Sequence, residues 1–265
     1  MEFKIKFLVF SAVFLVVFLL FSSAKADTTT GLVGWWRFDE GSGTTAIDSS
    51  GRGHNGTLVN SPTWVTGKMG SALSFDGVST YVRIPASTDF DSPNEFTVSA
   101  WVYPTNPAVR VTAVGRAMSN LWHLWVLEQV NIGGGAARFD VEYVTRFIYG
   151  EPSLRATGSA YSMNTWHHVV GVKTASNTVR IYLDGVAGGE SGVSPNPYPS
   201  DLSGVDISIG SRRAITPDSV WYGYIDDVQI YNRALTASEI TALYNLGSGA
   251  SDTTPPAAPS GVVIS

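Results

Sequence analysis

The sequence has no cysteine, and it has few histidines and few charged residues for a chain of 265 residues. Without cysteine, disulfide bonds and thiolate metal ligands are excluded, so the burial of apolar side chains has to stabilise the fold. The four histidines form neither an His-x-His nor an His-Glu-x-x-His pattern, which argues against a catalytic zinc site. The 17 basic residues are outnumbered by 22 acidic ones and form no basic run. Nucleic acid and anionic membrane surfaces are therefore not expected partners.

The first 26 residues have the pattern of a secretory signal peptide. Lys4 and Lys6 give a positive start, residues 7–21 are almost entirely apolar, and Ala24-Lys25-Ala26 supplies small residues at a cleavage site. The apolar run is shorter than the ~20 residues that a transmembrane helix needs. We therefore predict cleavage directly after this tripeptide, a secreted or cell-surface location, and no insertion into a membrane after cleavage. Removing these residues changes the formal net charge from −5 to −7.

The last residues, 248–265, differ from the rest of the chain in composition. They are rich in Pro, Ser and Thr and show no apolar period, which is typical of a linker. Residues 261–265 then resemble the beginning of a strand. We predict a linker followed by the start of a further β module, which would make this chain one part of a larger modular protein. The alternative is a simple disordered tail.

Residues 27–247 form the predicted domain, and their dominant apolar period is two. The runs 96–103, 166–172 and 179–183 alternate between apolar and polar residues, and turn-forming residues such as Asp184-Gly185 separate them. An Asp-Gly dipeptide between alternating runs is the strongest signal for a two-residue hairpin. Short strands at this spacing predict an all-β fold of two antiparallel sheets packed face to face.

One short helix is predicted near the end of the domain. Thr236 and Glu239 have the spacing of a capping box, in which each side chain binds the backbone amide of the other residue. Leu235 and Ile240 are placed to form the accompanying hydrophobic staple, and Gly247 is the predicted stop. We expect this helix to lie against the sandwich as a structural element.

Several segments, in this order, resemble the laminin-G-like branch of the concanavalin A-like lectin/glucanase superfamily. They cover nearly the whole domain and are Trp36-Arg-Phe-Asp-Glu-Gly-Ser-Gly43, Asp48-Ser-Ser-Gly51, Gly67-Lys-Met-Gly-Ser-Ala-Leu-Ser-Phe-Asp-Gly77, Tyr81-Val-Arg-Ile84, Phe96-Thr-Val-Ser-Ala-Trp101, Trp166-His-His-Val169, Ile181-Tyr-Leu-Asp-Gly185, Ile209-Gly210 and 223–240. The resemblance implies a jelly roll of two curved antiparallel sheets, used in adhesion, in glycan binding and in accessory modules of secreted enzymes. Because one fold serves many functions, the resemblance alone does not fix a function.

The resemblance also implies a structural Ca²⁺ ion. In sugar-active relatives an aspartate of the closing strand holds this ion together with groups of the first strand. The matching residues here are Asp226 in the closing strand and Asp39 and Glu40 in the first strand, with Asp48 on the neighbouring loop. Oxygen ligands suit Ca²⁺, which takes ~6–8 of them. We predict Asp39, Asp48 and Asp226 as metal ligands; for Asp48 the alternative is an Asx turn that caps backbone amides.

Asp226 is in phase with Val228 and Ile230, so it should face inward if those two residues face the core. A buried carboxylate is costly unless it is hydrogen-bonded, paired or bound to a cation. The alternative to a metal is that Asp226 accepts backbone amides or pairs with Arg37 or Arg233. The next residue along the chain faces the other way and should be solvated.

Aromatic residues make up 12% of the chain. An exposed row of rings flanked by polar groups is how a sheet surface binds sugar rings. We predict such a ligand-binding surface at Trp122, Trp125, Tyr143, Arg146 and Tyr149, with Arg138 and Glu142 as polar neighbours. The alternative is that half of these rings face the opposing sheet, as alternation along a strand requires.

The other rings and the histidine pair have simpler interpretations. Adjacent histidines on a strand point to opposite faces and cannot share one metal, so His167 and His168 are predicted to be structural. Packing is also the predicted role of Trp221, Tyr222 and Tyr224, which lie beside the closing motif. Core positions are predicted for Trp36, Phe38, Phe75, Phe96, Trp101 and Trp166.

We predict a non-catalytic exported binding module whose partner is a glycan or an extracellular protein. Retaining glucanases of the superfamily carry Glu-x-Asp-x-x-Glu on one strand, whereas no glutamate here precedes an aspartate by two positions. No Gly-x-Ser-x-Gly elbow and no phosphate-binding loop occurs either. Two alternatives stay open: a structural spacer of a surface protein, and a divergent polysaccharide-degrading enzyme that would use Glu142 with Glu151 or Asp140.

Overall fold

The computed structural model describes residues 27–91, 94–107, 110–117, 123–143, 154–192 and 204–249. The predicted signal peptide and all but two residues of the predicted linker lie outside these ranges. Across the described ranges, no helix is both long and apolar enough to cross a membrane.

Strands dominate the described residues, as the apolar period of two predicts. A 3-10 turn covers Thr88–Phe90, and a helix, α1, covers Ala237–Ser248. In chain order the strands are β1 (Leu32–Trp36), β2 (Thr45–Ala46), β3 (Gly56–Val59), β4 (Thr63–Thr66), β5 (Ser71–Asp76), β6 (Tyr81–Ile84), β7 (Phe96–Pro104), β8 (Val111–Ala117), β9 (His123–Gly133), β10 (Ala136–Tyr143), β11 (Leu154–Tyr161), β12 (His167–Lys173), β13 (Val179–Leu183), β14 (Val186–Glu190), β15 (Ile207–Ile209) and β16 (Tyr222–Tyr231).

In the described residues these strands form two antiparallel sheets of eight strands each. The first sheet has the order β14-β13-β12-β7-β16-β5-β4, and β1 pairs with the end of β16. The second sheet has the order β11-β10-β9-β8-β15-β6-β3-β2. Strands that are distant in sequence, such as β7 and β16, are neighbours in space. The predicted all-β sandwich of two antiparallel sheets with a C-terminal helix is confirmed.

The core lies between the two sheets and is filled from both inward faces. Trp36 and Phe75 of the first sheet and Phe139 and Ile209 of the second belong to it, and each is at most 3% exposed. Burying a side chain of this size stabilises the fold by ~1.5–3 kcal/mol. This core therefore does what disulfide bonds do in exported proteins that contain cysteine.

Helix α1 covers part of the outer face of the first sheet. The Thr236 hydroxyl accepts the Glu239 amide, and the Glu239 carboxylate accepts the Thr236 amide, so the predicted capping box is confirmed. Ile240 and Leu243 of the helix are buried in one apolar cluster with Val170 of β12. Because these three side chains lie outside the main core, the sandwich has a second, smaller hydrophobic layer.

The end of α1 differs from the prediction. The helix continues through Gly247 to Ser248, and its C-cap is Gly249. A Cβ atom at Gly247 would come within 2.5 Å of the indole of Trp101, so this glycine lets the helix approach the sheet closely. Trp101 is 1% exposed as predicted, but its ring lies beneath α1 and not between the sheets.

The hairpin between β13 and β14 is confirmed. Its two turn residues, Asp184 and Gly185, have φ values of 52° and 76°, and Leu183 pairs directly with Val186. Positive φ at both turn positions is what a two-residue type I′ hairpin requires.

At one side of the sandwich the two sheets meet. A Cβ atom at Gly189 of β14 would lie 2.5 Å from the carbonyl oxygen of Thr157 in β11, and one at Gly188 would lie 3.4 Å from the Cα of Gly158. Such a close approach of backbones from different sheets requires residues without side chains. The glycines thus close this side of the sandwich.

Candidate functional site

Two rings of the predicted sugar-binding row lie in the core. Trp125 and Tyr143 are 3% and 0% exposed, and their rings lie 5.5 Å and 5.7 Å from the ring of Phe96 in the first sheet. Alternation along β9 and β10 turns both rings toward the opposing sheet. The prediction of an exposed aromatic row is therefore wrong for these two residues. The other three residues of the predicted surface, Trp122, Arg146 and Tyr149, lie outside the described residues.

The outer face of the same strands carries charge instead of rings. Arg138, Asp140 and Glu142 occupy alternate positions of β10 and point away from the core that contains Phe139. The register of β9 and β10 places Glu128 directly opposite Asp140. We call this outer surface of the second sheet the ionic face and define it by Arg110, Glu128, Arg138, Asp140, Glu142 and Arg155.

Arg110 joins two carboxylates of the ionic face. Its Nε lies 2.8 Å from Oε2 of Glu128, and its Nη2 donates to Oε1 of the same residue and, at 2.9 Å, to Oε2 of Glu142. The Glu128 side chain is only 1% exposed, whereas that of Arg110 is 42% exposed. The hydrogen bonds from Glu128 raise the pKa of Arg110 further above its usual value, so the guanidinium group stays charged.

Asp140 is held by two further arginines. Its Oδ1 accepts Arg138 Nε at 3.0 Å, and its Oδ2 lies 2.6 Å from Arg155 Nη2. Arg155 also approaches Glu128 at 3.7 Å, which links both halves into one network. The Asp140 side chain is fully buried, and about a third of each arginine is exposed. The carboxylates thus form the floor of the ionic face, and the guanidinium groups form its surface.

Half of the ionic face was not identified from the sequence. Arg138, Asp140 and Glu142 were noted as polar neighbours or as a candidate pair, but Arg110, Glu128 and Arg155 were missed. Glu128 could have been found by pairing β9 with β10 across the glycine turn at residues 133–135, which sets the register. Arg110 directly precedes β8 and Arg155 lies on β11, the two strands that flank this hairpin, so only the order of strands in the sheet reveals them.

The ionic face can hold a ligand through directional hydrogen bonds. Guanidinium groups present several N–H donors in a fixed plane, and carboxylates accept only. Mutual pairing fixes both sets before a ligand arrives, so little side-chain entropy is lost on binding. Three positive and three negative charges balance each other, which favours a neutral ligand rich in hydroxyl groups.

Asp226 of β16 lies against the turn of residues 67–71 in the first sheet. Its Oδ2 accepts the amides of Lys68 and Met69 at 2.9 Å and 3.0 Å, as the alternative interpretation held. Its Oδ1 is also buried, and in the described part of the chain it has no hydrogen-bond partner. Burial and the neighbouring charge of Asp227 raise the pKa of Asp226 well above its usual value. One oxygen of this side chain is therefore available to a proton or a cation.

The predicted phase of the closing strand is wrong. Ile225 and Val228 both belong to the core, and the pairing of β16 with β7 is irregular between Asp226 and Gln229. A bulge with Asp227 at φ 47° inserts an extra residue, so Asp226 faces the outside of the sheet. It is buried there by the turn at residues 67–71.

Asp227 was predicted to be solvated, but its carboxylate is held within the protein. Its Oδ1 accepts the indole N–H of Trp35 at 2.5 Å. Burial, with a smaller contribution from the charge of Asp39, raises the pKa of Asp227 to about 6. Asp39 in turn accepts the Ser71 amide at 3.1 Å and pairs with Arg37 at 2.8 Å. Three carboxyl groups therefore influence one another around this turn.

Asp48 does not join them. Its carboxylate accepts the backbone amides of Trp35, Ser50 and His54, each at 2.9 Å, and organises its own loop as the Asx-turn alternative described. Among the described residues, no group of three or more acidic or histidine side chains is arranged to hold a metal ion. The predicted set of three carboxylates is therefore wrong, whereas Asp226 and Asp39 lie on the two sides of one turn.

The histidine pair is structural in both of its members. Although burial opposes it, hydrogen bonds with Asp184 and the Ser162 carbonyl, at 2.8 Å and 2.9 Å, raise the pKa of His167. His168 faces the other way, lies beneath α1 with Nε2 2.8 Å from Ser99 Oγ, and is 2% exposed. Burial lowers the pKa of His168 to about 4. A ligand cannot reach this Ser–His pair.

A profile of the Laminin_G_3 family, described as concanavalin A-like lectin/glucanases superfamily, matches residues 76–241, which is more than half of the chain. This chain belongs to that family. The match includes the whole ionic face and Asp226, whereas Asp39 and Asp48 precede it. No curated protein matches the chain.

Solved structures share the fold of this Laminin_G_3 domain. Domain 4 of AbnA, a GH43 extracellular arabinanase from Geobacillus stearothermophilus in complex with arabinotriose, is 21% identical, with a TM-score of 0.54 over 80% of this chain and 98% of that one. The binding domain of Paraclostridial Mosquitocidal Protein 1 is 17% identical, with a TM-score of 0.63 over 82% and 52%. The botulinum neurotoxin serotype D binding domain is 13% identical, with a TM-score of 0.62 over 82% of this chain and 52% of that one. This chain thus spans about half the length of the two toxin binding domains.

Proposed function

We propose that this domain is a non-catalytic glycan-binding module and that the ionic face contacts the glycan. The observation that carries the proposal is the array of partly exposed arginines anchored on the buried carboxylates of Glu128 and Asp140. Sugar hydroxyl groups both donate and accept, so they match such an array. The likeness to an arabinanase domain in complex with arabinotriose supports this ligand class, and the likeness to two toxin binding domains supports a role in binding.

The charge pairing favours binding over hydrolysis. A glycosidase needs one carboxyl group that donates a proton and a second that remains charged. In the candidate pair Glu142 and Asp140, both carboxylates are held by arginines, and Asp140 is fully buried beneath them, so it is not placed to reach a glycosidic bond. A spacer alternative gives no reason for burying two carboxylates in a sheet surface, since the desolvation of buried ion pairs offsets most of their attraction.

A glycan array with the mature chain, followed by calorimetry on the best oligosaccharide, tests the proposal. Arg138→Lys keeps the charge and loses the planar fork, and Glu142→Gln removes one charge without changing shape. Each should weaken binding by about tenfold. Matched controls are Arg180→Lys and Glu190→Gln at an exposed ion pair of the first sheet, which should leave the dissociation constant unchanged.

Three other results would contradict this proposal. Binding by the wild type with no change in Arg138→Lys and Glu142→Gln would place the glycan elsewhere on the domain. Capture of an extracellular protein by a chain that binds no glycan would replace the ligand class. If the wild type released reducing ends from a polysaccharide and Glu142→Gln did not, the domain would be an enzyme.

We further propose that Asp226 and Asp39 hold a structural Ca²⁺ ion at the turn of residues 67–71. The unpartnered Oδ1 of Asp226 and the concentration of negative charge with Asp227 support it. Ca²⁺ binds carboxylate and carbonyl oxygens in flexible geometries, so a turn can supply additional ligands. The ion would neutralise the buried charge and fix the turn to the closing strand.

Calcium titration calorimetry and thermal melts with EDTA test this second proposal. The wild type should bind one Ca²⁺ and lose several degrees in Tm when EDTA is added, because a bound ion stabilises only the folded state. Asp226→Asn should bind no calcium and ignore EDTA, whereas Asp206→Asn, at a carboxylate of the second sheet paired with Arg83, should behave like the wild type. A melt of the wild type that EDTA leaves unchanged would exclude the ion.

We also propose that the chain is exported and belongs to a larger modular protein. The signal-peptide pattern of residues 1–26 and the linker composition of residues 248–265 support this. In the secreted fraction of an expressing cell, N-terminal sequencing should give Asp27 as the first residue. Retention of the intact N-terminus in the membrane fraction would show an anchor instead.

A further inference from the structure

Three half-exposed aromatic rings form a compact cluster on the outer face of the first sheet. The ring of Tyr103 in β7 lies 5.1 Å from that of Tyr224 in β16 and 5.6 Å from that of Trp166, and Trp166 lies 6.3 Å from Tyr224. All three are partly exposed, so the predicted core position of Trp166 is wrong, whereas Tyr224 packs against its neighbours as predicted. We call this group the aromatic cluster.

The backbone around the cluster fixes the three rings. Tyr103 and Tyr224 are direct partners in the pairing of β7 with β16. Trp166 immediately precedes β12, whose first residue pairs with Val102. The Asn164 amide donates to the Pro104 carbonyl at 2.9 Å, which ties the loop before β12 to the end of β7. The rings are therefore held on three adjacent strands, and binding would cost little conformational entropy.

The polar edges of these rings are unused. The hydroxyl groups of Tyr103 and Tyr224 and the indole N–H of Trp166 make no hydrogen bond within the described chain, where these side chains contact one another through their rings. A purely apolar partner would bury these three groups without partners, at a cost of ~1–3 kcal/mol for each of them. A ligand with both apolar C–H faces and hydroxyl groups avoids that cost.

We propose that the aromatic cluster is a second glycan-binding site, on the opposite side of the sandwich from the ionic face. Sugar rings present flat C–H faces for stacking and peripheral hydroxyl groups for the free Tyr and Trp edges. The proposal takes only its ligand class from the proposed function and does not depend on the ionic face. Two sites on opposite faces let one domain bridge two glycan chains or hold one chain more tightly through multivalency.

Calorimetry with four neutral hexasaccharides (cellohexaose, xylohexaose, mannohexaose and arabinohexaose) tests this site. At least one should bind, and Trp166→Ala and Tyr103→Ala should weaken its binding by about tenfold. Tyr224→Phe keeps the packing and removes one hydroxyl, so it should cause a smaller loss even if the alanine variants fold poorly. Val186→Ala, at an exposed apolar residue of the same sheet, is the neutral control.

The indole N–H signals in an NMR spectrum of the 15N-labelled chain give a readout that a merely structural cluster would not move. The Trp166 signal should shift on addition of the bound hexasaccharide, whereas the signals of the buried Trp101 and Trp221 should not. One result would overturn the second site and leave the proposed function intact. A hexasaccharide would bind the wild type and bind Arg138→Lys more weakly, but it would not shift the Trp166 signal, and Trp166→Ala would bind it with wild-type affinity. Absence of binding to any of the four hexasaccharides and to the glycan array overturns both.

Discussion

The outer faces of the two sheets are built in opposite ways. On the first sheet, α1 buries Val170 under Ile240 and Leu243, and the aromatic cluster occupies the part that the helix leaves uncovered. On the second sheet, the corresponding surface carries the ionic face, where arginines cover buried carboxylates. Both sheets use the same alternation of inward and outward residues, so the difference lies entirely in the outward positions.

The comparison separates stability from recognition. Apolar burial contributes ~1.5–3 kcal/mol for each large side chain, whereas a partly exposed ion pair contributes ~0–1 kcal/mol. The helix-covered face should therefore matter most for folding, and the ionic face should matter most for binding. Three measurements on matched variants can break this division.

The largest effect is expected beneath α1. Leu243→Ala removes a side chain that is 5% exposed and leaves a cavity, so it should lower the free energy of unfolding by ~2–4 kcal/mol. Leu246→Ala, in the same helix but 56% exposed, should change it by less than ~0.5 kcal/mol. Urea denaturation measures both. Equal values for the two leucines would mean that α1 does not stabilise the sandwich.

A smaller effect is expected on the ionic face. Asp140→Asn leaves Arg138 and Arg155 without their shared carboxylate, but both are about one-third exposed and can be hydrated. The expected loss is ~1–2 kcal/mol in the same urea assay. The control Glu190→Gln, at the exposed pair with Arg180, should cost less than ~0.5 kcal/mol. A loss above that of Leu243→Ala would show that the ionic face is a main source of stability.

The third effect is a dependence on pH that belongs to the first sheet. The pKa of His168 is lowered to about 4, so the unfolded chain takes up this proton first, and stability falls as pH drops from about 6.5 to 4. The pKa of His167 is raised, so its contribution is present below about 6.5 and is lost as pH rises through the folded-state pKa. His168→Gln should therefore weaken the acid-induced loss of stability, and His167→Gln should strengthen this loss. Melts at several pH values test the signs, and identical profiles would refute them.

Sequence reasoning was most successful where a local pattern decides the structure. The hairpin at Asp184-Gly185 and the capping box at Thr236 were confirmed because a few adjacent residues determine each of them. The helix end was predicted wrongly at Gly247, whereas the C-cap is Gly249. A glycine is needed at position 247 because of the close approach to Trp101, which is far away in sequence. Local rules therefore identify elements better than they identify their contacts.

The candidate sites were harder to predict because each depends on register or on a bulge. One extra residue at Asp227 reverses the side of the sheet that Asp226 faces, and no apolar pattern reveals such an insertion. The rings Trp125 and Tyr143 followed the alternation that was named as the alternative. The aromatic cluster joins residues from three strands, so it appears only when the strand order is known.

The glycine contacts between β11 and β14 have a consequence for the edges of the two sheets. A free strand edge invites pairing with another chain. Because Gly188 and Gly189 let β14 lie closely against β11, these two edge strands partly shield each other from neighbouring molecules. The opposite flank ends in the short strands β2 and β4, of two and four residues, which are poor templates for aggregation. Both flanks therefore offer a second copy of this domain little edge to extend into a shared sheet.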